Sequence, residues 1–358
     1  MIVKTKMGYK NISMDPEITK LEEGRFKYKS NKPFYFENGK SIPNLELQYD
    51  TYGSLNQDKS NVILIHHSLS VGANVSKWWK GFIGDGLVLD TKKYFIICIN
   101  NLGSCFGSSG PSLNTVNPKT KKPYLRDFPE FNFNDIAKSQ LELLEYLKIS
   151  KIHAVVGSSM GGMISLSMLS IKPNMVENMF LCATSYKSYP FNAANRMVQK
   201  EVIENSIEYK NGFYSKNPEN AVKLARKIGL LFYRGIPELN QRFAFGKDSL
   251  EEIYSYYEYN ADKFSKIFDA NSYIYTLNCM DSYNLNLENI LNNKNKKIFV
   301  IGIDSDILFP VYQQEELYLK LKKLFDNVNY IIHKTVHGHD SFFIEIEQFS
   351  NYLQDFLK

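Results

Sequence analysis

The 358-residue sequence predicts an α/β fold, a mostly parallel central sheet with helices on both faces, into which a helical segment is inserted. Three observations predict it. Short apolar runs alternate with amphipathic stretches of helical period, as expected for strands buried on both faces. The alternation stops between about residues 185 and 292, a stretch rich in Tyr, Asn, Lys and Glu that lacks buried-strand runs, and then resumes. One apolar run ends in a glycine-flanked serine that leads directly into a helical pattern.

Taken in order, the buried strands are read at 62–67 (VILIHH), 94–100 (YFIICIN), 152–157 (IHAVVG), 179–183 (MFLCA), 297–303 (KIFVIGI) and 328–333 (VNYIIH). Each is too short, and too rich in β-branched or aromatic residues, for a helix. Residues 135–147 have helical period with Asp135 placed to act as N-cap, and 160–171 and 341–357 also read as helices. Helical patterns at 218–231 and 250–267 mark the insertion. The organisation expected is a first core segment at 1–184, a helical lid at 185–292 and a second core segment at 293–358. The run NNKNKK at 292–297 reads as a solvated loop rather than a binding patch.

Composition excludes several classes. Hydrophobic residues make up 44% and charged residues 23%, which is ordinary for a globular chain. A net charge of +5 without a dense Lys/Arg stripe argues against nucleic acid. Cys98, Cys105, Cys182 and Cys279 show no metal-ligand spacing and read as free thiols of a reducing cytoplasm. No signal-peptide core and no apolar run approaching ~20 residues is found, so no membrane partner is expected.

The chemistry-bearing motif is G-x-S-x-G at 157–161, with Ser159 central, between an apolar strand and an amphipathic helix. In that context it reads as a nucleophile elbow, the sharp turn that pushes a serine oxygen out at the top of a sheet in the α/β-hydrolase fold. The backbone N–H of Met160 and that of Leu69, in the loop after 62–67, are the expected oxyanion donors. His66 and His67 lie at a strand end upstream of the serine and read as structural. In this fold the acid and then the histidine follow the serine in sequence. Asp304 and Asp306 both stand at the end of the strand 297–303, and His337 and His339 both stand in the loop after the next strand. Spacing leaves both choices open.

At these residues the sequence resembles the homoserine O-acetyltransferase family of α/β-hydrolase-fold acyltransferases. The resemblance runs through LELQYDTYGSLN at 45–56, HSLS at 67–70, Trp78-Trp79, INNLGSCFGSSGPS at 99–112 and GSSMGGM at 157–163. It continues through FDANSYIYTLNCMD at 268–281, SDILFP at 305–310 and HGHDSF at 337–342. The resemblance implies Asp306 as the acid and His339 as the base, with Ser159 as nucleophile. It also implies Arg226, supported by Tyr233, as holder of an amino-acid carboxylate, and Asp340 as holder of its ammonium. It implies acetyl-CoA as cosubstrate with no tightly bound cofactor, L-homoserine as acceptor, ping-pong acyl transfer in methionine biosynthesis, and a homodimer. Ser158, Val71 and Asn205-Ser206 depart from the family's usual glycine, glycine and D-P, which bears on the choice of donor or acceptor. Succinyl transfer, a serine acceptor and plain ester hydrolysis are the alternatives.

Overall fold

The computed structural model describes residues 16–243, 246, 249–290 and 294–358 in full and the backbone of 2–5 and 8–11. Its centre is a nine-stranded sheet. In chain order the strands are β1 (Glu17–Glu22), β2 (Arg25–Lys29), β3 (Glu46–Tyr52), β4 (Val62–His66), β5 (Phe95–Ile99), β6 (Ile152–Ser158), β7 (Val176–Cys182), β8 (Lys297–Ile303) and β9 (Asn327–His333). Their spatial order is β9-β8-β7-β6-β4-β5-β3-β2-β1. The strands from β9 to β5 run parallel. Antiparallel pairing begins at β5–β3 and continues to β1.

Strand alternation feeds two separate cores. Val62 and Leu64, Met179 and Leu181, and Ile298 and Val300 point to one face. Ile63 and Ile65, Phe180 and Cys182, and Phe299 and Ile301 point to the other. Such two-sided burial is why these strands read as continuous apolar runs. The helices are α1 (Phe133–Tyr146), α2 (Met160–Ile171), α3 (Pro190–Glu204), α4 (Glu219–Leu230), α5 (Ile236–Arg242), α6 (Ser249–Ser265), α7 (Ala270–Asp281), α8 (Val311–Leu324) and α9 (Ile346–Leu357). Residues of α1, α2 and α8 cover the first face, and Phe349, Leu353 and Phe356 of α9 cover the second.

Helices α3 to α7 lie between β7 and β8, where the sequence predicts the insertion. The expected boundary at 292 and 293, and the first residues of the 292–297 loop, lie outside the described residues. The segment leaves and returns at one neck. There the Ser188 N–H donates to the Tyr283 carbonyl at 2.7 Å and the Leu285 N–H to the Tyr186 carbonyl at 2.9 Å. Glu316 of α8 closes the neck by accepting from Lys187 at 2.9 Å and from the hydroxyls of Tyr189 and Tyr186.

Four local expectations are corrected. Helix α1 begins at Phe133, and its N-cap is Asn132 rather than Asp135. Asp135 is the third residue of a capping box: its N–H donates to Asn132 Oδ1 at 3.0 Å, and its carboxylate accepts from the Asn132 N–H at 3.1 Å. The stretch 341–357 divides into a four-residue helix at Ser341–Ile344 and α9, because Glu345 leaves helical geometry at φ −94°, ψ 63°. Strand β7 starts at Val176, three residues before its apolar run. Strands β1 to β3 were not expected, because charged residues alternate through them. Among the described residues no helix is long and apolar enough to cross a membrane, and no group of His, Cys, Asp and Glu could hold a metal ion. The four cysteines are unpaired.

Candidate active site

The site is assembled where β6 turns into α2. Strand β6 ends at Ser158 and α2 starts at Met160, so Ser159 makes the whole turn, at φ 54°, ψ −126°. A left-handed φ on a residue with a Cβ is strained by roughly 1–3 kcal/mol and persists only where the surroundings hold it. The holders are visible. The Ser159 N–H donates to the Cys182 carbonyl at 2.9 Å, and Thr184 Oγ1 donates to the Ser159 carbonyl at 2.7 Å. Gly161 lies so close to β4 that a Cβ there would sit 2.0 Å from the His66 carbonyl oxygen. The turn therefore needs glycine at this position.

Ser159, His339 and Asp306 form one buried hydrogen-bonded chain. The hydroxyl of Ser159 lies 2.9 Å from His339 Nε2, and His339 Nδ1 lies 2.7 Å from Asp306 Oδ2. The other oxygen of Asp306 accepts from the N–H groups of Leu308 and Phe309, both at 2.8 Å, which fixes the carboxylate plane. Phe309 stacks on the imidazole at 5.4 Å and Phe342 meets it edge-on at 5.6 Å. Burial opposes charge on His339. The Asp306 carboxylate, through its field and hydrogen bond, and Asp340 beyond it outweigh that cost and raise the imidazole pKa.

The alternatives left open by spacing are engaged elsewhere. Asp304 accepts from the Thr335 N–H at 2.9 Å. His337 faces Glu238 at 3.7 Å and is partly exposed. Ser158, the neighbour of Ser159 in the elbow, is turned to the Ser68 hydroxyl at 3.2 Å.

His66 and His67 are buried, and burial pushes their pKa down to about 3 and about 4. His66 contacts Ser165 of α2 at 2.7 Å. His67 Nε2 accepts from the Asn101 N–H at 3.2 Å, so Nδ1 holds the proton and donates to the Ser68 carbonyl at 2.9 Å. The loop carrying Leu69 is thus fastened to the 99–112 segment. Asn100 reinforces the join, accepting from the Ala73 N–H and donating to the Phe106 carbonyl, both at 2.7 Å. This scaffolding role of Asn100 and Asn101 was missed, although the density of Asn, Gly and Ser in that segment was its signal.

A cavity of about 420 Å³ opens over the serine, lined by Leu69, Ser159, Arg226, Tyr233, His339 and Asp340 among others. Met160, at the first position of α2, has no intrahelical acceptor for its N–H. Arg226 comes from α4 and is only 8% exposed. Its guanidinium lies 4.5 Å from the Tyr233 ring centroid and 4.3 Å from that of Phe264, and Nη1 donates to the Tyr233 hydroxyl at 3.0 Å. Among the described residues its Nε has no hydrogen-bond partner.

Asp340 already faces a cation, since Arg234 Nε lies 3.4 Å from its carboxylate. Burial raises the Asp340 pKa; Arg234, His339 and Arg226 pull it back in part. Arg234 was missed by the sequence reading because nothing distinguishes it there from a surface arginine beside Tyr233. It is held by Glu238 at 3.2 Å.

Comparison with known proteins places these features in a family. A family profile described as alpha/beta hydrolase fold matches residues 61–333. A homoserine O-acetyltransferase of Methanobrevibacter ruminantium is 38% identical over 355 residues, covering 91% of this chain and 72% of the relative. A serine O-succinyltransferase of Stenotrophomonas maltophilia is 33% identical, covering 91% of this chain and 95% of the relative. The crystal structure of esterase E22 superimposes with a TM-score of 0.84 at 25% identity, over 93% of this chain and 99% of that one. Sequence likeness across nine-tenths of the chain, on this fold, makes the protein a member of the homoserine O-acetyltransferase family of the α/β-hydrolase fold.

Proposed function

We propose that this chain transfers an acetyl group from acetyl-CoA to the hydroxyl of L-homoserine, through an acyl-enzyme on Ser159. The observation that carries the reading is the buried Asp306–His339–Ser159 chain opening into a cavity that also holds Arg226, a buried cation with no carboxylate paired to it among the described residues. A buried cation with an open hydrogen-bond donor favours an anionic ligand group.

In the first half-reaction His339 Nε2 takes the hydroxyl proton as Ser159 Oγ attacks the thioester carbonyl. The carbonyl oxygen becomes an oxyanion, which the N–H groups of Leu69 and Met160 stabilise. Collapse breaks the carbon–sulfur bond, and the departing thiolate takes the proton from His339. In the second half the homoserine hydroxyl gives its proton to His339, its oxygen attacks the acyl carbon, and the Ser159 oxygen leaves with that proton. Arg226, braced by Tyr233, holds the amino-acid carboxylate. Asp340 holds the ammonium; burial raises its pKa, and the neighbouring Arg234 opposes that shift.

The same reading puts the protein in the cytoplasm, in methionine biosynthesis, as a homodimer. The apolar groove lined by Ile228, Leu231, Ile236 and Leu239 supports the last point, and sedimentation velocity tests it.

The deciding experiment crosses acetyl-CoA and succinyl-CoA with homoserine, serine and water, reading free CoA and O-acyl product. Acetyl-CoA with homoserine should turn over fastest. The serine O-succinyltransferase relative supplies the second reading, and fastest turnover of succinyl-CoA with serine would replace the substrates while keeping the mechanism. Fastest turnover with water would make the chain a hydrolase and overturn the transferase reading.

A further inference from the structure

A second cavity, of about 670 Å³, lies beside the one over Ser159. The two share Ser70, Val71 and Lys263 in their walls. At the same junction Trp78 of the second cavity packs edge-on against Phe343 of the first, with ring centroids 5.6 Å apart. The second cavity is cationic: Arg25, Lys77 and Lys263 line it, against one acid, Asp50. That acid is already engaged, because Arg25 binds both oxygens of Asp50 at 2.8 Å. Asp262, beside Lys263 in sequence, pairs with Lys266 at 2.6 Å instead. Among the described residues, Lys77 and Lys263 are left exposed and without an ion pair. Lys263 borders both cavities and Lys77 only the outer one, so a ligand extending from Ser159 meets Lys263 first.

A chamber of about 420 Å³ lies at the lower end of the roughly 300–1,000 Å³ that enclose drug-sized ligands, and a CoA thioester is larger than those. We infer that the second cavity receives the phosphorylated end of the acyl-CoA donor. The pantetheine arm passes Ser70 and Val71 to bring the thioester to Ser159, and Lys263 and Lys77 pair with the donor's phosphates. This rests on the acyl-CoA reading given above and adds the place where the donor's charge is recognised.

The test compares two donors with the same thioester, acetyl-CoA and S-acetylpantetheine, in the wild type and in Lys77→Glu, Lys263→Glu and the double variant. Each single substitution should raise KM for acetyl-CoA by about fivefold or more, and the double by about tenfold or more, the order expected when an anion meets a like charge in place of an exposed ion-pair partner. The preference for acetyl-CoA over S-acetylpantetheine should shrink by the same factor. Added salt should erode that preference in the wild type. Competitive inhibition by adenosine 3′,5′-bisphosphate should weaken in the variants. If both donors lose efficiency together, or the preference does not move, the assignment of this cavity is wrong while the acyl-CoA reading stands. If the wild type accepts neither thioester, the acyl-CoA reading fails and takes this inference with it.

Discussion

At the scale of the residue, the protein spends backbone strain on one serine and tunes one imidazole. Ser159 is held at φ 54° by hydrogen bonds to both of its backbone polar groups. His339 must be neutral to accept the serine proton, and its pKa is raised by Asp306 against burial. The pH dependence follows from that sign. Acylation should fall as pH falls, with a midpoint above the ~6.5 of a free imidazole. In Asp306→Asn burial acts without its main opponent, so the midpoint should drop while the rate falls by about 10⁴-fold; stopped-flow release of CoA against pH reads both. A midpoint that stays put in Asp306→Asn would mean that the carboxylate does not set the imidazole's charge. His339→Ala should abolish transfer, whereas His337→Ala, which loses only a 3.7 Å approach to Glu238, should keep most of it. The sequence itself could not choose within either pair. Asp304 and Asp306, like His337 and His339, are chemically equivalent residues two positions apart in connections between longer elements, where no apolar period in the sequence says which one turns inward. The family resemblance chose, and the structure brings the chosen members within hydrogen-bond distance.

At the scale of the element, what was legible is what is buried on both sides. Strands β4 to β8 announce themselves because both faces need apolar cover, and the edge strand β9, mostly exposed or half-buried, does so only through its Tyr-Ile-Ile run. Strands β1 and β2 do not, since RFKYK and EITKLE alternate charge with apolar residues at an exposed sheet edge. The start of α1 was misplaced because Asn132 and Asp135 both carry cap-forming side chains. The buried Phe133 between them belongs to the helix, which moves the cap back to Asn132. Asn132→Ala should therefore lower unfolding free energy by about 1 kcal/mol in urea denaturation and leave kcat unchanged, because Asn132 does not line the cavity over Ser159. Gly161→Ala should behave oppositely to such a mild change. Its Cβ would meet the His66 carbonyl at 2.0 Å, so the elbow must shift, and Ser159 with it. Loss of acylation with an intact far-ultraviolet dichroism spectrum is the expected result, and normal acylation would show that the elbow tolerates more than its geometry allows.

At the scale of the whole molecule, two segments of the sheet and the helices between them meet over one serine. The sheet supplies Ser159, Asp306 and His339 from the ends of β6 and β8 and the loop after β9, and the inserted segment supplies Arg226 from α4 and Tyr233 from the turn after it. This division predicts a split phenotype. Arg226→Ala and Asp340→Ala should still release CoA in a first-turnover burst, because acylation makes no use of the acceptor's charges. Steady-state transfer to homoserine should fall steeply, since losing a charged hydrogen-bond partner costs ~2–5 kcal/mol. Normal transfer in both variants would remove the acceptor clamp. The central claim, an acyl group carried on Ser159, is tested most directly by intact-mass spectrometry of the protein mixed with acetyl-CoA alone. A single acetyl adduct that maps to Ser159, is absent in Ser159→Ala and is discharged by homoserine is the predicted result. An adduct that persists in Ser159→Ala, or product formed with no Ser159-dependent intermediate at any time, would contradict it.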